Sequence, residues 1–102
     1  MLHQELMARP QQIAQEVALL ARRVLGADIE VIWFGSWPKG TASPHADLDI
    51  AINGSRAFPP ERLAELQGLL DNIATLHEID LVDLHTVGEA LRNEILRHGV
   101  RL

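Results

Sequence analysis

The feature that most limits how this chain can fold is a short apolar run that ends on glycine and is followed, across a Pro/Gly-rich loop, by an alternating acidic strand. Ile29 to Phe34 (IEVIWF) is β-branched and aromatic, and Gly35 follows it. That composition predicts a strand. The segment GSWPKGTASPHA carries Gly35, Pro38, Gly40 and Pro44. It predicts a loop or a broken turn of helix, because no regular element tolerates so many breakers. Asp47 to Ile52 (DLDIAI) alternates polar and apolar residues and predicts a second strand.

The remaining elements are placed around this pair. Pro10 suits an early position of a first helix. Ile13, Val17, Leu20 and Val24 then recur at helical spacing, with Gly26 as a stop. Asn53-Gly54 opens a turn. From Glu61 a second long helix carries Leu63, Leu66, Leu70 and Ile73 on one face. Glu78 to Leu84 (EIDLVDL) predicts a third strand. Thr86 and Glu89 have capping-box spacing and predict a last helix running to about His98, with Gly99 after it. The order α-β-β-α-β-α implies an α/β (α+β) fold, a small mixed β-sheet with helices packed on it. At 102 residues the expectation is one domain spanning residues 1–102.

Bulk properties remove several functional classes. Hydrophobic residues make up 47% of the chain and charged residues 23%, which fits a folded globular protein. There is no cysteine, hence no disulfide framework and no thiolate metal site. No apolar run is long enough for a membrane span, and the N-terminus lacks the apolar stretch of a signal peptide. A cytoplasmic location is the expectation. The formal net charge of -5 argues against direct nucleic-acid binding by this chain alone, since such binding relies on Lys and Arg neutralising phosphates. An anionic substrate remains possible if a divalent metal supplies positive charge.

The acids suggest where such a metal would sit. Strand side chains alternate between faces, so Asp47, Asp49 and Ala51 share one face. On the third strand Glu78, Asp80, Val82 and Leu84 share one face and Asp83 takes the other. If the strands lie in one sheet in suitable register, Asp47, Asp49 and Asp80 converge. Three close carboxylates repel one another, and Mg²⁺, which takes carboxylate and phosphate oxygens, relieves that repulsion. The plainer alternative is a solvated acidic face, against which stand the apolar neighbours Ala51, Val82 and Leu84. Gly35 lets the backbone approach a ligand. Ser36 can cap a following helical turn whose free N–H groups attract phosphate. The alternative is an ordinary strand-to-turn corner.

Taken together, Gly35-Ser36, ten intervening residues and Asp47-x-Asp49 resemble the signature of the polymerase-β-like nucleotidyltransferase superfamily in its minimal branch. The apolar residues before Gly35, the Lys39-Gly40 pair, DIAI, EIDLVDL and the helix from about Val87 are similar to that branch as well. The resemblance runs from about Ala14 to Leu102 and implies a palm-like nucleotidyltransferase fold. It further implies transfer of AMP from a nucleoside triphosphate, ATP by default, to a hydroxyl. Asp47 and Asp49 would bind two Mg²⁺ ions. Asp80 would bind the metal near the nucleophile and accept its proton. Gly35 and Ser36, with adjacent amides, would hold the β- and γ-phosphates. Lys39 would add charge there, against the plainer reading of a solvent-exposed lysine.

Minimal members of this family lack a separate acceptor-binding domain. The resemblance implies a helical HEPN-type partner in a toxin-antitoxin pair, with AMP attached to a tyrosine of the toxin. Two alternatives stand beside this one. The chain is a non-catalytic antitoxin acting by contact, or the catalytic subunit of a two-protein enzyme for a small molecule or an RNA end. Trp37-Pro38 stands where many relatives carry arginine, and Trp37 is a candidate to stack on a base or a partner. Asp83 reads as structural or surface. Glu78 reads as an exposed strand acid or a supporting group. His45 reads as a loop histidine within reach of nucleotide or simply at the surface. The five histidines show no paired metal spacing.

Overall fold

The computed structural model describes residues 2–102, with side chains from Ala8 onward. Helix α1 (Leu2–Leu25) leads into strand β1 (Glu30–Phe34), and the single turn α2 (Ser36–Lys39) follows. Strand β2 (Leu48–Asn53), helix α3 (Pro60–Leu70) and strand β3 (Ile79–Asp83) come next. Helix α4 (Glu89–His98) and the short strand β4 (Val100–Arg101) complete the fold. The sheet order is β3-β2-β1-β4. β1 runs antiparallel to both β2 and β4, whereas β2 and β3 are parallel. Parallel neighbours need a crossover, and α3 provides it.

Strand alternation gives the sheet two unlike faces. Val31, Trp33, Leu48, Ile50 and Ile52 project to one side and pack with Ile13, Val17 and Ala21 of α1 and Leu66 and Leu70 of α3. Every one of these side chains is buried. The burial of so many branched side chains, each contributing about 1.5–3 kcal/mol, makes this the principal core. The opposite face carries a smaller cluster, in which Ile32, Ala51 and Leu84 meet Ile95 of α4. Helix α4 therefore covers part of that face only, and the rest of it is where the acids stand.

The mixed sheet with packed helices is the expected class, and four details refine that expectation or depart from it. Helix α1 begins well before Pro10, which lies inside it and is buried. The preceding residues are mostly good helix formers, and the helix accepts the loss of one backbone bond at Pro10. The capping box does not form. Thr86 is still in the turn after β3, its hydroxyl donating to the Asp83 carbonyl (3.1 Å), and Gly88 caps α4 instead. The Gly-Ser loop contains a true helical turn. Finally, β4 adds a fourth strand, where Leu102 N–H also donates to the Val31 carbonyl (2.8 Å). Two residues are too few to show a strand period in sequence.

Candidate active site

The register of β1, β2 and β3 builds the site. Phe34 pairs with Asp49, and Asp49 pairs with Asp80, so these residues form one row across the sheet. The next row, Ile32, Ala51 and Val82, belongs to the cluster under α4. Asp47 lies one residue before β2 and keeps the parity of Asp49. Glu78 lies one residue before β3 and keeps the parity of Asp80. The Leu48 N–H donates to the Glu78 carbonyl (2.8 Å), which brings these two flanking residues together. Asp47, Glu78 and Asp80 each offer a carboxylate oxygen, and these oxygens lie within 4.8 Å of one another.

Asp49 is the least exposed of the four acids. Burial first, then the charges of Asp80 and Asp47, raise its carboxyl above the ordinary value. The shift is an electrostatic sign that three carboxylates share one field. Oxygen-only donors converging in this way suit a hard divalent cation, which would remove the repulsion. Asp47 and Asp80, with Glu78, therefore fit the metal that the sequence motif implies, while Asp49 stands beside this group of oxygens and is not one of the three. Glu78 joins the cluster although its sequence position reads first as an exposed strand acid. Its signal was parity with Asp80, two residues apart.

Gly35 is fixed by two independent constraints. Its φ of 85° and ψ of -152° belong to a region that side-chain-bearing residues avoid. A Cβ at this position would also stand 2.3 Å from the Asp49 carboxylate oxygen Oδ2. The glycine thus gives Asp49 its place. It also serves as the N-cap of α2, so Ser36 is the first helical residue and not the expected cap. The turn closes on Gly40, whose φ of 76° is left-handed, and the Thr41 N–H donates to the Ser36 carbonyl (3.0 Å).

Trp37 is not available for stacking on a base or a partner. It is 4% exposed and belongs to the principal core. Its indole N–H donates to the Ala46 carbonyl (3.0 Å), and its ring meets His77 edge-on with centroids 5.7 Å apart. Lys39 forms an ion pair with Glu94 of α4, which holds the Glu94 carboxyl below its ordinary value. A groove of about 540 Å³ runs from Lys39 along Asn93, Arg97 and His98. A second groove, about 310 Å³, is bordered by Glu78 and Asp80. His45 is exposed. Asp83 is structural, as its parity implied. It is 3% exposed and accepts backbone N–H bonds from Phe58 (2.8 Å) and His85 (2.9 Å).

A mixed sheet with a glycine turn beside paired strand acids is the frame of a nucleotidyl-transferring domain. The polymerase beta nucleotidyltransferase family matches residues 22–102, and the chain belongs to that family. Among solved structures, it is similar to a toxin-antitoxin complex with AMP-PNP. The TM-score there is 0.72 at 25% identity, over 86% of this chain and 70% of that one. It is also similar to a mutant of the MntA-HpeT toxin-antitoxin, with a TM-score of 0.70 at 27% identity, over 86% of this chain and 69% of that one. A complex of tri-AMPylated Shewanella oneidensis HEPN toxin with MNT antitoxin shares the fold. Its TM-score is 0.67 at 23% identity, over 89% of this chain and 69% of that one. No curated protein shows significant similarity to the chain. Among the described residues, no helix is long and apolar enough to cross a membrane.

Proposed function

We propose that this chain is a Mg²⁺-dependent protein adenylyltransferase of the cytoplasm, a single catalytic domain that transfers AMP from ATP to a hydroxyl of a HEPN-type partner and so acts as its antitoxin. The observation that carries the reading is the cross-strand pairing of Asp49 with Asp80, with Asp47 on the same face. Family membership supports the chemistry, and the neighbouring complexes with AMP-PNP and with AMPylated HEPN toxin support the nucleotide and the partner.

In this reading Asp47, Asp49 and Asp80 would hold two Mg²⁺ ions. When bound, such metals supply positive charge to the attacking and departing oxygens. The chain's own groups do the rest. Asp80 accepts the proton of the acceptor hydroxyl. That oxygen bonds to the α-phosphorus as the bond to the bridging oxygen of the β-phosphate breaks, and pyrophosphate departs. Gly35 lets the nucleotide approach the backbone. Ser36, through its hydroxyl and its amide, and the Trp37 amide would hold the β- and γ-phosphates. Pro38 offers no N–H there. Lys39 would contribute by exchanging Glu94 for phosphate, an exposed ion pair of small net value being easily given up. Glu78 adds a fourth carboxylate at the rim.

Trp37-Pro38 stands where many relatives carry arginine, and the core position of Trp37 gives that tryptophan a structural purpose instead of a contact one. Incubation with α-labelled ATP, Mg²⁺ and the HEPN-type partner is expected to label the partner. Asp47→Asn and Asp80→Asn are each expected to lose transfer by roughly 100-fold or more, since each removes charge stabilisation at the reacting centre. Full transfer by either variant would contradict the proposal.

A further inference from the structure

Three separate stretches of sequence supply this site, and one carbonyl oxygen ties them together. Trp37 follows Ser36, Ala46 precedes Asp47, and His77 precedes Glu78. The Ala46 carbonyl accepts the Trp37 indole N–H at 3.0 Å and the His77 Nδ1–H at 2.9 Å. A carbonyl can only accept, so the proton of this contact sits on Nδ1. Both acceptor positions of that oxygen are then filled. The two donor rings brace each other edge-on, at 81° between planes. His77 is itself held from behind, its backbone N–H bonded to the Thr75 hydroxyl (3.1 Å).

We infer that Trp37 and His77 are positioning residues that set the aim of Asp47 and Glu78 through the Ala46 carbonyl. This deepens the metal-site reading above and rests on it. Asp47 hangs between two fixed points. On one side the Ala46 oxygen is clamped by the rings, and on the other the Leu48 N–H is bonded to the Glu78 carbonyl. Its backbone therefore cannot swing away from β3, although its side chain is exposed and repelled by its neighbours. The same contacts fix the approach of Glu78, because His77 is its chain neighbour. Trp37 also links the clamp to the turn that presents Ser36. Groups that orient a metal's carboxylates commonly change metal affinity about 10- to 100-fold when removed.

Mn²⁺ titration calorimetry on the 102-residue chain with AMP-PNP present, alongside thermal melting, provides the test. Trp37→Phe keeps a ring in the core and deletes the N–H. His77→Phe deletes the other donor, and His77→Asn returns an N–H near the Nδ1 position. Trp37→Phe and His77→Phe are expected to weaken Mn²⁺ binding roughly 10-fold, and His77→Asn to recover most of it. Leu66→Ala, a core change within α3, is expected to lower Tm and leave Mn²⁺ affinity near wild type. Wild-type affinity in Trp37→Phe and His77→Phe would overturn the inference alone. So would losses that Leu66→Ala matches at equal Tm. Absence of Mn²⁺ binding by the wild-type chain would overturn the metal-site reading, and the inference with it.

Discussion

At the scale of single residues, Gly35 and Asp49 form the tightest pairing in the site. Only a residue without a side chain satisfies both the backbone angles at position 35 and the space taken by the Asp49 carboxylate. Gly35→Ala is expected to cost about 1–3 kcal/mol from the backbone alone and to displace Asp49. Chemical denaturation reads the first effect and metal titration the second. Asp49 in turn is an acid whose folded environment raises its pKa, through burial and then through Asp80 and Asp47. The folded state then binds its proton more tightly than the unfolded state does, so stability falls as pH rises from the unfolded value, near the ordinary 3.8, through the raised folded value. Asp49→Asn removes that cost. The variant is expected to melt above wild type at neutral pH without metal, with the advantage disappearing below about pH 4. Added Mg²⁺ is expected to raise the Tm of wild type more than that of the variant, because only wild type keeps the full ligand set. A variant that melts below wild type at neutral pH in chelator would contradict this electrostatic account. The alignment of Asp49 with Asp80, the shared parity of Asp47 and the glycine at 35 were legible in the sequence because motif spacing and strand parity act on the residues themselves. The burial of Trp37 was not, since a tryptophan in a Pro/Gly-rich loop carries no periodic signal. Its partners Ala46 and His77 lie 9 and 40 residues away.

At the scale of elements, each predicted strand and helix formed, and the errors fell at edges and short pieces. The leucines and isoleucines of α3 and β2 announced their faces by period, and those faces became the core. Pro10 misled because its start signal competed with a longer run of helix formers. Thr86 misled because a hydroxyl placed to cap a helix can equally close the turn before it, as it does on the Asp83 carbonyl. Strand β4 escaped detection because its existence depends on the open edge of β1. Its seat requires Gly99, where a Cβ would stand 2.3 Å from Ile32 Cγ2 and 2.5 Å from the Ile95 carbonyl oxygen. Gly99 has an ordinary negative φ, so the demand is for space and not for backbone freedom. Gly99→Ala is expected to destabilise the fold by about 1–3 kcal/mol through overpacking between α4 and β1, as read by denaturant midpoint. An unchanged midpoint would mean that α4 shifts freely on the sheet.

At the scale of the whole molecule, the fold spends its helices unequally. Two helices seal one sheet face and a short one covers part of the other, leaving the acid-bearing rows open to solvent. An open site with grooves starting at Lys39 and at Asp80 suits a large acceptor that brings its own surface. That arrangement agrees with a protein acceptor and with the toxin-antitoxin complexes whose fold this chain shares. In the proposed function the acids move AMP onto a partner protein. The most direct test of that transfer is the intact mass of the HEPN-type partner after incubation with the chain, ATP and Mg²⁺, with partner toxicity scored in parallel. Adenylyl additions to the partner and loss of its toxicity are expected with wild type, and neither with Asp80→Asn. Loss of toxicity with an unmodified partner mass, equally strong with Asp80→Asn, would contradict the proposed transfer.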